Sequence, residues 1–325
     1  MNTLYPLKFT PVFKDKIWGG TKLADLYNID ARSDIGEAWV LSGYAGDESV
    51  VSNGELKGKT LPEIAGIYKA QLLGKGVFEQ FGTQFPLLFK LIDANDKLSI
   101  QVHPDDKTAA SRHQSFGKTE MWYVIDAEPD SELIIGFNKD ITVDEYLFAL
   151  QNDTVLHLLQ AVKVQRGDVF FIPAGLVHAI GKGVLVAEIQ QSSDITYRIY
   201  DYKRRDSNGN ERELHTDLAT EVIDYHATEN PKIAYANKKN ETVSLADCKY
   251  FTTNLLKIDK KFTKNLSSIN SFVVYFCIEG KFVLETETGS VEATQGETIL
   301  LAATTEKLTL IPETAEVTLL EIYIG

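Results

Sequence analysis

The sequence predicts a mainly β fold of the sandwich, barrel or jelly-roll kind, in two units with a few peripheral helices. Three observations carry that expectation. Short stretches rich in β-branched and aromatic residues, at 37–42, 87–92, 98–102, 120–125, 132–137, 168–172 and 184–190, are bounded by Gly, Pro, Asn or Asp. Many short strands separated by turns are the pattern of closed or stacked antiparallel sheets. Two stretches have helical spacing, and they lie beside the strands instead of alternating with them, which argues against a parallel α/β sheet. The length of 325 residues, at roughly 150 per domain, gives about two domains.

The helical stretches are 142–160 and 213–225. In the first, Thr142 followed by Glu145 has capping-box spacing, and Tyr146, Leu147, Leu150, Val155, Leu158 and Leu159 recur at helical intervals. In the second, Leu214, Leu218 and Val222 are four apart. Residues 227–244 are polar and aperiodic, as in a connector, so the expected domains are 1–240 and 241–325. The second domain reads as all-β, with hairpin turns at Glu279-Gly280 and Thr288-Gly289.

Composition narrows the function. Hydrophobic residues make up 44% and charged residues 24%, enough to bury a sizeable core. Thirty-three basic against 46 acidic side chains leave a net charge of −13, the wrong field for non-specific nucleic-acid or anionic-membrane binding. A small anion stays open as a ligand if a few basic side chains converge. Cys248 and Cys277 are too few for a disulfide framework or a zinc ribbon and fit a reducing cytosol. The stretch 1–16 has neither a basic n-region nor an apolar h-region, so a cytoplasmic location is expected. The apolar stretch 169–189 holds Pro173, His178, Lys182 and three glycines, which suits strands joined by turns better than a membrane span.

The residues able to do chemistry lie between 99 and 198. A strand through 99–104 places Gln101 and His103 on one face, because side chains alternate with period two. Glu120 opens an apolar strand, and a carboxylate buried there needs a charged partner or a metal. From Gly167 to His178 a glycine turn launches an apolar strand, Pro173 and Gly175 bend the chain, and a histidine follows. One amide oxygen, two imidazoles and one carboxylate suit zinc or another divalent first-row ion. With no cysteine in the set, an open catalytic site is favoured over a closed structural one. The plain alternative is a core or rim histidine and a solvated glutamate. His113, His157, His215 and His226, in a polar loop or in and beside the helical stretches, read as structural or exposed.

The run Gly-x5-Pro-x-Gly-x2-His from Gly167 to His178 resembles the second cupin motif, and Gln101-x-His103 with Glu120 resembles the first, its leading histidine replaced by glutamine. With FPLLFKLIDANDKLSIQVHPDD, GKTEMWYVIDA, IPAGLVHAIG, ITYRIYDY, the IWGG at 17–20 and the GEAWVLSG at 36–43, the chain is similar to the type I mannose-6-phosphate isomerases from about residue 5 to 205. The resemblance implies two cupin-type jelly-roll units and a zinc enzyme interconverting mannose 6-phosphate and fructose 6-phosphate. By position it implies Gln101, His103, Glu120 and His178 as ligands to one Zn²⁺ per chain, other divalent first-row metals being alternatives. It also matches the family's lysine to Lys118 and its arginine to Arg198. Only strands and one modest helix fit between Glu120 and His178, as in the compact bacterial form. Gly296 and the apolar residues after it repeat the rhythm of Gly167 onward, but no histidine follows His226, so the C-terminal unit is expected to be a scaffold without a metal site.

Moving a proton between C2 and C1 of an opened sugar needs a base and a stabiliser for the enediolate. Lys118 serves as the base, its ammonium destabilised by the nearby cation, or as an electrostatic contact for substrate oxygen or phosphate. Arg198 has no acid–base capacity near neutral pH and is expected to neutralise enediolate or phosphate charge, a structural salt bridge being the alternative. Ser99, on the face of Gln101 and His103, and Lys90 are candidate substrate contacts, and Trp18 and Trp39 are pocket walls or core. An iron-dependent cupin oxygenase and a non-catalytic sugar-phosphate-binding cupin are the rival functions. The expected partner is a small phosphorylated sugar, with no nucleic acid and no membrane, and the chain is expected to be a monomer or weak homodimer.

Overall fold

A computed structural model describes residues 4–30, 34–205 and 209–325, and the chain divides by contacts into two compact units that interleave along the sequence. One comprises Met1–Phe13, Ala38–Lys90 and Ala234–Gly325, and the other Lys14–Glu37 and Leu91–Ile233. The mainly β class is as expected: every described sheet is antiparallel in its recorded pairings.

The unit containing the C-terminal residues is a sandwich. Its larger sheet orders the strands Thr242–Asp247, Thr252–Ile258, Val317–Tyr323, Val273–Glu279, Thr298–Leu301, Leu7–Thr10 and Val50–Val51. Its smaller sheet orders Phe262–Asn265, Lys307–Pro312, Lys281–Thr286 and Gly289–Thr294. Alternate residues of both meet in one core, with Leu256, Tyr275 and Leu319 from the first and Phe282, Leu284 and Leu310 from the second. The hairpin turns fall where the sequence places them, with Gly280 at φ 88° between Val273–Glu279 and Lys281–Thr286.

This unit also holds helices that the sequence reading did not foresee: Leu61–Tyr68, Ala70–Leu73 and Lys75–Phe81. The first begins at a capping box, in which the Thr60 N–H donates to Glu63 Oε2 at 2.7 Å and the Glu63 N–H to Thr60 Oγ1 at 3.4 Å. It buries Leu61, Ile64, Ala65 and Tyr68, one face of a 3.6-residue period.

In the other unit a five-stranded sheet orders Tyr197–Tyr200, Ile100–Val102, His178–Ile180, Glu132–Phe137 and Leu159–Lys163. A second sheet of this unit runs through Val169–Ile172, Glu120–Ala127 and Val184–Gln191. Trp122, Phe170, Ile172 and Val186 of the second sheet pack with Leu133, Ile135 and Ile180 of the first. On the other face of the five-stranded sheet, Ile100, Val102, Tyr197 and Ile199 pack with Tyr146 and Ala149 of the helix Val143–Gln151. With Ile100 and Val102 turned to that helix, Gln101 between them turns the opposite way.

Both helical stretches are shorter than expected. Thr142 and Glu145 do form the capping box, but the helix ends at Gln151, since Asp153 takes φ 60°. A 3₁₀ turn, Val155–Leu158, follows, and Leu159 already belongs to a strand. Of 213–225 only Thr216–Thr220 is helical, because backbone on both sides is committed elsewhere: the His215 N–H donates to the Arg198 carbonyl at 2.7 Å and the Asp224 N–H to the Gly175 carbonyl at 2.9 Å. The apolar stretch 169–189 resolves into the strands Val169–Ile172, His178–Ile180 and Val184–Gln191, and among the described residues no helix is long and apolar enough to cross a membrane.

Candidate metal centre

Three strands of the five-stranded sheet and one of its partner supply the site. His178 and Gln101 face each other across adjacent antiparallel strands, as do Arg198 and Gln101, so all three side chains share a face. His103 leaves the end of the Gln101 strand and is 1% exposed. The Gly175 N–H donates to the His103 carbonyl at 2.9 Å. Gly175 sits at φ 90°, and a Cβ there would lie 3.0 Å from the Val222 carbonyl oxygen, which explains the glycine before His178.

Glu120 opens its strand fully buried. Its Oε1 lies 3.1 Å from His103 Nε2 and its Oε2 3.9 Å from His178 Nε2, and the two imidazole Nε2 atoms are 3.2 Å apart. Ligand atoms of His103, Glu120 and His178 all fall within 4.8 Å of one another. The Gln101 amide is 3.4 Å from His178 Nε2. Its drawn nitrogen and oxygen differ only by a half-turn of the amide, so its oxygen reaches the same point.

The hydrogen bonds behind the rings fix their tautomers. His103 Nδ1 faces the Ile195 carbonyl at 2.9 Å and His178 Nδ1 the Leu176 carbonyl at 2.8 Å. A carbonyl only accepts, so each neutral ring carries its proton on Nδ1 and presents a bare Nε2 lone pair to the centre. Two lone pairs and a carboxylate therefore converge with no proton among them. Glu120 Oε1 is a buried atom without a hydrogen-bond partner of good geometry. A cation answers all three, and the nitrogen and oxygen donors suit zinc or another divalent first-row ion.

The titration behaviour agrees with that arrangement. Burial, assisted by the Lys118 charge, pushes His103 down to about 3, and burial lowers His178 as well. Burial alone would raise Glu120, but Lys118 and His103 outweigh it and hold the carboxyl well below its usual range. The consequence is testable in metal-stripped protein. Below the ordinary histidine value of 6.5 the unfolded chain binds a proton at His103 that the folded chain refuses until about pH 3. Stability is thus full above pH 6.5 and falls with acid, by at most about 1.4 kcal/mol per pH unit for each such ring. Thermal melts from pH 7 to 5 should show this decline, with a flatter profile for His103→Gln.

Lys118 is 4% exposed, and its ammonium lies 3.0 Å from Glu120 Oε1. Half-buried Arg198 donates from a terminal guanidinium nitrogen to the Glu213 carbonyl at 2.8 Å, while its Nε is buried without a partner. Burial, then Arg212, lowers its pKa, yet a guanidinium stays charged at neutral pH. Ser99 is buried just before the Gln101 strand. Trp18 is a core residue, packed in the cluster with Trp122 and Ile180. Lys90 belongs to the other compact unit, buried with its ammonium 5.0 Å from the Trp39 ring centre.

Sequence reasoning missed the groups behind the candidate ligands. The Trp122 indole N–H is shared between Glu120 Oε2 at 3.0 Å and Glu188 Oε2 at 2.9 Å, and the ring meets His178 edge-on at 5.4 Å. The available signal was a charged residue, Glu188, inside the apolar strand Val184–Gln191.

Two family profiles match the chain, "Phosphomannose isomerase type I, catalytic domain" over residues 6–144 and "Mannose-6-phosphate isomerase, cupin domain" over residues 240–318. Mannose-6-phosphate isomerase ManA of Bacillus subtilis is 40% identical over 283 residues, covering 86% of this chain and 87% of that one. The chain belongs to the type I mannose-6-phosphate isomerase family. A mannose-6-phosphate isomerase of Streptococcus mutans is 38% identical over 249 residues, covering 76% of this chain and 77% of the relative. The crystal structure of the mannose 6-phosphate isomerase from Bacillus subtilis superposes with a TM-score of 0.88 at 34% identity, over 99% of this chain and all of the other. A phosphomannose isomerase mutant from Salmonella typhimurium, 16% identical with a TM-score of 0.79, shares the fold. The cupin match at 240–318 agrees with the cupin-like rhythm of the C-terminal residues.

Proposed function

We propose that the protein interconverts mannose 6-phosphate and fructose 6-phosphate, with Gln101, His103, Glu120 and His178 holding one zinc ion. The observation that carries this reading is the convergence of two bare Nε2 lone pairs on a buried carboxylate beside Lys118. A bound divalent ion supplies Lewis-acid stabilisation of negative charge on the substrate oxygens, worth several kcal/mol.

The chain's own residues do the rest. Lys118, buried beside the carboxylate, moves the proton between C2 and C1 of the open-chain sugar or holds the oxygen charge that this creates. Arg198 shares the Gln101 face and places a permanent cation, with an uncommitted Nε, toward the enediolate or the phosphate. Ser99 is a further substrate contact in this reading, and the protein works in the cytoplasm as a monomer or weak homodimer.

The test is a coupled assay for fructose 6-phosphate formation from mannose 6-phosphate, before and after chelation. Activity should vanish with chelator and return with Zn²⁺. Undiminished turnover in protein shown to be metal-free overturns the reading. Oxygen uptake with Fe(II) and no isomerisation replaces it with the oxygenase.

A further inference from the structure

Lys118 lies just before the strand Glu120–Ala127, and the backbone on either side of it is clamped by residues of other segments. Three consecutive N–H groups each find an acceptor there. Gly117 donates to Asp106 Oδ1 at 3.1 Å, Lys118 to the Pro104 carbonyl at 3.1 Å, and Thr119 to Gln191 Oε1 at 3.0 Å. Gln191 closes the ring: its backbone N–H donates to the Thr119 carbonyl at 3.2 Å, and its Nε2 donates to the same Asp106 Oδ1 at 2.9 Å. Gln191 is only 5% exposed, so its amide is desolvated and depends on these bonds. Gly117 fits because a Cβ there would lie 2.5 Å from the Asp106 nitrogen. The turn after Gln191 also ends at the Ile195 carbonyl that holds His103 Nδ1.

We propose that Gln191 and Asp106 are positioning residues for Lys118. Together they fix the peptides flanking the lysine and so the direction from which its flexible side chain reaches the site. The inference rests on the reading of Lys118 as a group that acts on substrate. An error of about 1 Å in such a group can cost on the order of 100-fold in rate. The bonds of this clamp end on the peptides around Lys118, so the effect should fall on turnover while substrate affinity and metal content stay in place.

The experiment compares kcat, KM, bound zinc and melting temperature for four variants of the zinc-loaded protein. Gln191→Met keeps length and removes both side-chain hydrogen bonds; kcat should fall about 10-fold to 100-fold with little change in KM, the mark of an interaction felt in the transition state. Gln191→Glu sets a carboxylate against Asp106 and should lose a similar factor. Asp106→Ala removes the one oxygen that accepts from both the Gly117 N–H and the Gln191 side chain, and should also lower kcat about 10-fold to 100-fold with little change in KM. A purely structural role lowers the melting temperature of all these variants and leaves kcat at 25 °C unmoved, which overturns the proposal. So does an Asp106→Ala variant with unchanged kcat, and this comparison stands even if Gln191→Met does not fold. Lys118→Met is the fourth variant: if it stays active, the reading of the lysine fails, whereas an inactive Lys118→Met beside a fully active Gln191→Met removes the clamp alone.

Discussion

Glu120→Gln should strip the protein of its metal and lower turnover by on the order of 1,000-fold or more. The substitution keeps the shape of the side chain and an oxygen that can accept from the Trp122 indole, so the packing around the fully buried residue survives. What disappears is the anion that lies beside His103, His178 and Lys118 alike. Two lone pairs and an amide oxygen hold a divalent ion far more weakly than a set containing a carboxylate. The buried Lys118 ammonium also loses the charge 3.0 Å away, and removing one member of a buried pair costs about 3–5 kcal/mol. Metal per chain after gel filtration, the coupled assay and a thermal melt are therefore expected to move together. A variant that keeps one ion per chain and normal turnover would show that Glu120 is not a ligand.

The candidate ligands were legible because each sits in a pattern that local physics imposes. Strand alternation turns Gln101 and His103 to one side, a glycine at φ 90° and a proline mark the bend before His178, and Glu120 is a carboxylate at the head of an apolar strand. The helix Leu61–Tyr68 was equally legible, since the Thr60–Glu63 capping box and the spacing of Leu61, Ile64, Ala65 and Tyr68 are written in the sequence; the weight of strand signals hid it. The end of the second helical stretch was not legible. It depends on which carbonyls His215 and Asp224 find, at Arg198 and Gly175, and no local period encodes a partner 17 or 49 residues away. The clamp on Lys118 is of the same kind: Gln191 and Asp106 are 85 positions apart, and neither residue type is unusual where it stands.

Lys118→Met should lower kcat by about 100-fold to 10,000-fold, the range for loss of a positioned proton-transfer group, while the metal stays bound. The side chain is nearly isosteric and apolar, and the buried position tolerates it better than an exposed one would. Glu120 loses the neighbouring Lys118 charge that helps keep it ionised, but a bound cation takes over that role in the loaded protein, and removing a like charge 3.0 Å from the carboxylate favours the cation. Retained metal with lost turnover thus separates Lys118 from the ligands, where both are lost together. Lys118→Arg then divides its two roles. A guanidinium keeps the positive charge and its donors but does not give up its proton near neutral pH. If the lysine only stabilises oxygen charge, the arginine variant recovers much of the rate; if it carries the proton, that variant stays as slow as methionine and fails to exchange deuterium from solvent into C2 of mannose 6-phosphate.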